Sequence, residues 1–188
     1  MKRLIVFASG TGSNFAALVA HYQASARVAI VALVCDHADA PVLAKAAAAG
    51  IPTITINYKG YPTKQAAEAA LVAMLPATDL IVLAGYMRII GKTLLAAYPD
   101  RIINLHPALL PSFPGRAGIQ DAYDYGVKVT GVTVHVVDAG VDSGRILAQA
   151  PVAITAGMTV DALETKIHQV EHQLLPQTID NLIEEGAI

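Results

Sequence analysis

The hydrophobic residues of this chain fall into short continuous runs, separated by Ala-rich stretches of helical length. Because the runs are continuously apolar rather than alternating, they are typical of parallel strands that are covered on both faces. The predicted strands are Leu4–Ala8, Val28–Cys35, Thr53–Ile56, Leu80–Ala84 and Arg101–Leu105. The predicted helices between them are Asn14–Gln23, Ala40–Ala48, Thr63–Leu75 and Lys92–Tyr98. This alternation predicts βαβ units and a doubly wound, mostly parallel, Rossmann-like α/β sheet.

The pattern changes after residue 106. A loop rich in Pro and Gly over His106–Gly118 is followed by a short predicted helix at Ile119–Tyr125. Two extended segments, Val129–Asp138 and Arg145–Val152, predict antiparallel strands that extend the sheet. A long amphipathic helix is predicted over Thr159–Glu185, and its first residue is a suitable N-cap. The expected fold is therefore a mostly parallel sheet with antiparallel strands late in the chain and a long C-terminal helix.

Length, charge and cysteine usage narrow the class of protein. The net charge is −2, and the chain has no run of Lys and Arg residues. Both observations argue against an interface with DNA or RNA. No apolar run approaches the roughly 18–20 residues that a membrane-spanning helix needs. The one cysteine, Cys35, ends an apolar strand and can form no internal disulfide. Since no repeat or linker divides the 188 residues, we expect a single cytoplasmic domain with no nucleic-acid or membrane partner.

A Gly-rich turn over Ser9–Asn14 follows the first predicted strand and opens the first predicted helix. Glycines let a ligand approach the backbone, and a helix N-terminus offers unpaired N–H groups, so the turn is typical of a phosphate site. It lacks the lysine of a Walker A loop, and Phe15 stands where a dinucleotide fingerprint has its last glycine. Asp36, near the end of the second strand, could contact a ribose. The alternative is a tight turn in which Ser13 or Asn14 caps the helix.

Candidate catalytic residues lie at the end of the fifth predicted strand and in a later turn. Asn104 and His106 are two residues apart, so in an extended segment both side chains point the same way. An amide donor beside an imidazole suits a reaction that develops an oxyanion and a leaving nitrogen. Asp142 could set the charge state of a nearby histidine or accept a proton through water. The alternatives are ordinary loop polar groups and an aspartate that holds its own turn.

The segment His168–His172 matches the H-x-x-E-H pattern of some zinc proteases. It lies on the long amphipathic helix beside the packing residues Ile167 and Leu174, and no distal acidic ligand has supporting context. Such a short pattern arises easily by chance on a helix of this kind. No metal site is therefore expected.

Four segments with characteristic sequences occur in order along nearly the whole chain: Ser9–Asn14, Ala84–Ile90, Asn104–Gly115 and Gly131–Gly144. Together they resemble the folate-dependent formyltransferases, and among these the phosphoribosylglycinamide formyltransferases. The Asn-x-His…Asp constellation is shared by the wider group that uses 10-formyltetrahydrofolate, so it indicates the chemistry better than the acceptor. The Ser-Phe-Pro-Gly stretch resembles the glycinamide enzymes, whereas methionyl-tRNA formyltransferases have an Arg-Gly-type loop there.

The resemblance implies an enzyme of de novo purine (IMP) biosynthesis and its ligands. The formyl donor would be 10-formyltetrahydrofolate, acting as a cosubstrate, and the acceptor would be the amine of glycinamide ribonucleotide. No metal would take part. The enzyme would work as a monomer or homodimer, with a phosphate-binding half over about residues 1–100 and a folate and catalytic half over about residues 101–188.

The resemblance also implies a role for each matching residue. The catalytic three would be Asn104, His106 and Asp142. The substrate phosphate would be held by Gly12, Ser13, Asn14 and Lys64. The folate pocket would be lined by Met87, Arg88, Ile89, Ile90, Val137, Asp138, Ala139, Gly140 and Val141. Arg88 would meet the carboxylate tail of the folate, and Glu171 would meet the glycinamide amine.

Three residues depart from the pattern of the family. Ala108 stands where Ser is frequent, Arg145 where Pro is common, and Ala117 where some members have a second His. None belongs to the catalytic three, but Arg145 would place a cation close to Asp142. The peptide bond from Leu110 to Pro111 is expected to be cis.

The residues leave two other functions open beside the transferase. One is a 10-formyltetrahydrofolate hydrolase, or a formyltransferase with another amine acceptor. The other is a nucleotide-phosphate-binding module without activity, which is disfavoured because all three candidate catalytic residues are present.

Overall fold

The computed structural model describes all 188 residues, Met1–Ile188, and contains seven strands and six α-helices. The strands are β1 Lys2–Phe7, β2 Val28–Cys35, β3 Thr53–Thr55, β4 Leu80–Leu83, β5 Ile102–His106, β6 Val129–Val136 and β7 Ile146–Ala153. The helices are α1 Ser13–Tyr22, α2 Pro41–Ala48, α3 Lys64–Met74, α4 Lys92–Ala97, α5 Gly118–Tyr125 and α6 Val160–Glu184. A 3-10 turn occupies Tyr58–Gly60. The strand order in the sheet is β3-β2-β1-β4-β5-β6-β7.

The fold class expected from the sequence is confirmed, and every predicted element is present. The observed bounds differ from the predicted ones by at most two residues. The largest differences lie where polar residues extend a strand or end it early. Strand β1 begins at Lys2, whose N–H donates to the carbonyl of Arg27 at 2.7 Å, although Lys and Arg carry no hydrophobic signal.

The chain divides into two compact units, and the first comprises residues 1–103 together with Ile188. Its strands are parallel: β1 pairs with β2 and β4, and β2 pairs with β3. Leu4, Ile5, Val6 and Phe7 are each fully buried, which is the two-sided cover that the continuous apolar run predicts. Because these strands are parallel, the loops that follow β1, β2 and β4 leave from the same edge of the sheet.

The second unit comprises residues 104–187 and contains the antiparallel pair predicted late in the chain. Strand β6 pairs with β7 from Val129 opposite Ala153 to His135 opposite Ile146, with a register shift between Val134 and His135. The Leu110–Pro111 bond is cis, as expected.

Helix α6 closes the second unit. Its predicted N-cap is confirmed, since the hydroxyl of Thr159 accepts the N–H of Ala162 at 3.2 Å. Leu163 and Ile167 bury its apolar stripe. None of the helices combines the length and apolar character that crossing a membrane requires.

Candidate active site

The Gly-rich turn connects β1 to α1, and its conformation depends on Gly12. This residue is the N-cap of α1, with a φ of +70° in the left-handed region that L side chains rarely adopt. A Cβ atom there would lie 2.3 Å from Cγ2 of Val42, so packing also excludes a side chain. The alternative in which Ser13 or Asn14 caps the helix is wrong, because Gly12 is the N-cap and has no capping side chain. No side-chain cap therefore competes with an anion at this N-cap.

Lys64 is the first residue of α3, and its ammonium group is half-exposed. Its Nζ lies 4.0 Å from Oε1 of Glu68, one helical turn later. Glu68 is buried and accepts the N–H of Gly91 at 2.6 Å, so it anchors the start of α4. The local sequence gives no sign of this role for Glu68, because a charged residue on a helix normally indicates a solvated face.

The segment after β4 carries the predicted folate-lining residues Met87–Ile90. Its backbone is attached to the Gly-rich turn, since the N–H of Met87 donates to Oγ of Ser9 at 2.9 Å. Met87 and Ile89 are 55% and 58% exposed, whereas Ile90 is buried. Large apolar side chains exposed at the ends of parallel strands are suited to a flat apolar ligand.

Arg88, in the same segment, is paired with Asp36. Its Nε donates to Oδ2 of Asp36 at 2.6 Å, and the Asp36 side chain is only 1% exposed. The guanidinium carbon also lies 4.3 Å from the centroid of the Tyr58 ring. This pairing speaks against a ribose contact for Asp36, because the carboxylate is buried and holds an arginine.

The structure brings Asn104, His106 and Asp142 together in the second unit. Nδ2 of Asn104 lies 3.5 Å from Oδ1 of Asp142, and Nδ1 of His106 lies 3.4 Å from Oδ2 of the same carboxylate. Strand β5 puts the first two side chains on one side, as their spacing predicts. Oδ2 of Asp142 also accepts the N–H of Gly115 at 2.8 Å, so a loop backbone fixes the carboxylate. One amide, one imidazole and one carboxylate therefore form a single cluster.

His135 is a fourth member of this cluster, with Nε2 3.6 Å from Oδ1 of Asp142, and its role was not predicted from the sequence. Its Nδ1 lies 2.9 Å from the carbonyl of Val136, so the proton is on Nδ1 and Nε2 is an acceptor in the neutral ring. Nδ2 of Asn104 donates to that Nε2 at 3.1 Å. His135 therefore orients the Asn104 amide. Its position within an apolar strand carried no signal beyond that of a buried core residue.

The protonation of His106 follows from its contacts. Nε2 lies 2.8 Å from the carbonyl oxygen of Phe113, which can only accept, so the proton of the neutral ring is on Nε2. Burial lowers the pKa of His106 below its usual value, although the Phe113 carbonyl and the Asp142 carboxylate both act to raise it. The expected influence of Asp142 is thus present, but burial outweighs it. Burial thus favours the neutral ring, whose Nδ1 faces Asp142.

The turn over Val137–Val141, predicted to face the folate, is held by one of its own side chains. Oδ1 of Asp138 accepts the N–H of Gly140 at 3.0 Å and the hydroxyl of Ser143 at 2.8 Å. Val141 is 53% exposed. Arg145 is exposed and lies directly before β7. Its carbonyl accepts the N–H of Val136, the last residue of β6.

Glu171 lies on α6 with its side chain 6% exposed. Nε2 of His168 is 4.0 Å from Oε2 of Glu171 and 4.0 Å from Oε1 of Glu164. No three His, Cys, Asp or Glu side chains in the chain are placed so that they could hold a metal ion together. His168 of the H-x-x-E-H segment therefore has two carboxylates nearby, but the segment does not form a set of metal ligands.

Comparison with known proteins identifies the family. The family model described as formyl transferase matches residues 2–179. The chain belongs to the formyl transferase family. It is 46% identical to a phosphoribosylglycinamide formyltransferase of Bacillus subtilis over 97% of this chain and 95% of that protein. It is 41% identical to the enzyme of the same name from Mycobacterium tuberculosis, over 98% of this chain and 86% of that protein.

Solved structures agree with this formyl transferase assignment. The crystal structure of phosphoribosylglycinamide formyltransferase from Bacillus halodurans superposes with a TM-score of 0.94 at 43% identity, covering 98% of this chain and 97% of that one. Glycinamide ribonucleotide transformylase 1 from Geobacillus kaustophilus has a TM-score of 0.92 at 48% identity, covering 97% and 98%.

A hydrogen-bonded clamp in this formyl transferase holds the backbone that follows His106. The buried hydroxyl of Thr133 accepts the N–H of Leu110 at 3.0 Å and donates to the carbonyl of Ala108 at 2.7 Å. Nε2 of Gln149 donates to the Thr133 hydroxyl at 3.0 Å and to the carbonyl of Leu110 at 2.9 Å. Two side chains from β6 and β7 therefore fix the first residues of the loop beside the cluster of Asn104, His106 and Asp142.

Thr133→Val is expected to destabilise the protein by about 2 kcal/mol, because it leaves the buried N–H of Leu110 and the carbonyl of Ala108 without this partner. For a protein of this size the change corresponds to a loss of roughly 4–8 °C in Tm, measured by calorimetry. Thr130→Val is the matched control on the same strand, since the Thr130 hydroxyl is buried and makes no hydrogen bond. That control should be neutral or stabilising, and equal losses in the two variants would contradict the clamp.

Proposed function

We propose that this formyl transferase moves the formyl group of 10-formyltetrahydrofolate to the amine of glycinamide ribonucleotide, a step of de novo purine (IMP) biosynthesis. The observation that carries the proposal is the cluster of Asn104, His106 and Asp142, with its carboxylate within 3.5 Å of both other side chains. The cluster occurs in a chain that is 46% identical to a phosphoribosylglycinamide formyltransferase over almost its whole length.

The phosphate of the ribonucleotide is assigned to the start of α1. Gly12, Ser13 and Asn14 present backbone at a helix N-terminus, where the N–H groups and the helix dipole favour an anion. Lys64 supplies a positive charge, and its Nζ lies 4.0 Å from Oε1 of Glu68, which is too far for a hydrogen bond to that carboxylate. Glu171, buried on α6, is assigned to the amine of the acceptor.

The folate is assigned to two segments. In the first unit, the exposed side chains of Met87 and Ile89 provide apolar surface, and Arg88 provides a cation for the carboxylate tail. In the second unit, the turn formed by Val137, Asp138, Ala139, Gly140 and Val141 is assigned to the pteridine. Asp138 holds this turn in shape through its bonds to the Gly140 N–H and the Ser143 hydroxyl.

The reaction forms one C–N bond and breaks another. The amine nitrogen of the acceptor attacks the formyl carbon, the carbonyl oxygen becomes an oxyanion, and the bond from that carbon to N10 of the folate then breaks. Nδ2 of Asn104 has two N–H groups: one faces Nε2 of His135 at 3.1 Å, and the other makes a long contact of 3.5 Å with Oδ1 of Asp142. In the proposed reaction this second N–H leaves the long contact and donates to the oxyanion. Neutral His135, with its proton on Nδ1 toward the Val136 carbonyl, keeps the amide in this orientation because Nε2 of that tautomer accepts.

One proton must pass from the attacking amine to N10. Neutral His106 accepts it at Nδ1, where Asp142 at 3.4 Å stabilises the resulting imidazolium. The charged ring then stabilises the oxyanion and returns the proton toward N10, directly or through a water held by Asp142. In this proposal the imidazolium of His106 forms in the reacting complex, which is supported by the burial that lowers the pKa of the ring in the free enzyme.

A steady-state assay tests this function. Purified protein is supplied with 10-formyltetrahydrofolate, with and without glycinamide ribonucleotide, while deformylated folate, formate and formylated ribonucleotide are measured separately. We expect deformylation only with the ribonucleotide, one formylated product per folate and no free formate. Formate released equally without the ribonucleotide would make the protein a hydrolase. Ligand binding without turnover would make it a binding module.

A further inference from the structure

Arg88 is held in place by contacts with Asp36 and Tyr58. Its Nε donates to Oδ2 of Asp36 at 2.6 Å, and its guanidinium stacks on the Tyr58 ring at 4.3 Å. The Tyr58 hydroxyl is hydrogen-bonded to that of Tyr86 at 3.3 Å, and the Tyr86 ring packs edge-on against Phe7 of β1, with ring centroids 5.2 Å apart. The position of the guanidinium is thus defined by a buried carboxylate and by an aromatic ring that has its own packing and hydrogen-bond contacts.

The hydrogen bond through Nε leaves the two terminal nitrogens of Arg88 for a ligand. The side chain is 34% exposed, and its one side-chain hydrogen bond is the one to Asp36. A guanidinium is a planar fork that binds a carboxylate through two parallel N–H donors only when its plane is correctly set. The partner on Nε sets that plane.

We propose that Asp36 is a positioning residue that makes this enzyme select formyl donors with a glutamate carboxylate, by holding Arg88 ready for bidentate binding. The inference rests on the proposed function, which supplies the class of donor. Asp36 itself does not touch the donor, because its side chain is 1% exposed and acts through Arg88.

Asp36 has two effects on donor binding, and they have opposite signs. The direction in which the donor affinity changes in Asp36 variants therefore tests the proposal. Its negative charge partly cancels that of Arg88, which weakens attraction of a carboxylate. Its hydrogen bond holds the guanidinium in one orientation, which strengthens binding by lowering the ordering cost. Asparagine at position 36 keeps an oxygen acceptor without the charge, whereas alanine removes both.

The experiment measures the dissociation constants of two donors by titration calorimetry, because the chain contains no Trp for fluorescence. The donors are 10-formyltetrahydrofolate and 10-formyltetrahydropteroate, which lacks the glutamate. We expect Asp36→Ala to weaken binding of the glutamate-bearing donor about tenfold and to leave the pteroate donor unchanged. Asp36→Asn should stay within about threefold of the wild type for both donors. Asp39→Asn is the control, since it removes an exposed carboxylate nearby on the same loop.

Several results would overturn the inference. Tighter binding of the glutamate-bearing donor to both Asp36 variants would mean that the charge alone matters. Equal weakening of both donors by Asp36→Ala would mean a general structural role. If that variant does not fold, Tyr58→Leu removes the ring beneath the guanidinium and should weaken only the glutamate-bearing donor. The titration measures donor binding and not formyl transfer, so its result is independent of the assay for the proposed function. The proposed function fails if the wild type does not formylate the ribonucleotide.

Discussion

Asp142→Asn is expected to lower kcat by about 10²–10⁴, because the carboxylate that stabilises protonated His106 during proton transfer is lost. Asparagine keeps an oxygen that can accept the N–H of Gly115, so the loop contact at 2.8 Å is preserved. The rate deficit should therefore appear without a large loss of Tm. Steady-state kinetics and calorimetry on the same preparation measure the two effects.

The pH dependence of the same variant gives a second readout with a definite sign. In the proposed reaction the base form of His106 is the reactive form, and burial lowers its pKa, so we expect the acid limb of kcat/KM in the wild type to lie below the ordinary histidine value of about 6.5. Asp142 raises the pKa of His106, so its removal lowers that pKa further. The acid limb of Asp142→Asn should move to lower pH, together with the His106 resonance in an NMR titration. A limb that moves to higher pH would contradict this electrostatic coupling.

Asp124→Asn is the matched control for this experiment. Asp124 lies exposed on α5 in the same unit and accepts a hydrogen bond from the side chain of Gln120. The substitution changes the charge by the same amount and leaves the cluster intact. Its kcat and pH profile should overlay those of the wild type.

Asn104→Ala is expected to lower kcat by about 10²–10³, equivalent to about 2.7–4 kcal/mol of transition-state stabilisation, because it removes the donor to the oxyanion. Substrate affinities should change little, since the oxyanion exists only during the reaction. Asn181→Ala, at an exposed position on α6, should leave kcat unchanged. An unchanged kcat with a raised KM in Asn104→Ala would assign this residue to ground-state binding instead.

The secondary structure was largely predictable because its determinants are local. Val28–Cys35 is a run of eight apolar residues, and strand β2 has the same bounds. The predicted N-cap at Thr159 is likewise a property of adjacent residues. The pairing of Asn104 with His106 on one side of β5 also follows from strand geometry alone.

Other features depended on partners that are remote in the chain. Glu68 anchors Gly91 across 23 residues, His135 orients Asn104 across 31, and Asp36 holds Arg88 across 52. Each of these residues has an ordinary local context: an acid on a helix, a histidine on a strand and an acid on a loop. Their partners cannot be predicted from sequence patterns, because the adjacent residues carry no information about a contact so far away in the chain.

The sequence by itself determined the α/β alternation, the carboxyl-end location of the Gly-rich turn and of the Asn-x-His pair, and the likeness to formyltransferases. Those conclusions rest on periodicity, turn chemistry and motif order, which are properties of consecutive residues. Only the tertiary structure decided that Gly12 is the N-cap of α1, that Asp36 pairs with Arg88, and that burial lowers the pKa of His106. These depend on close approach and on exclusion of water. Packing of distant segments sets both, because the cost of burying a charge depends on what surrounds it in space.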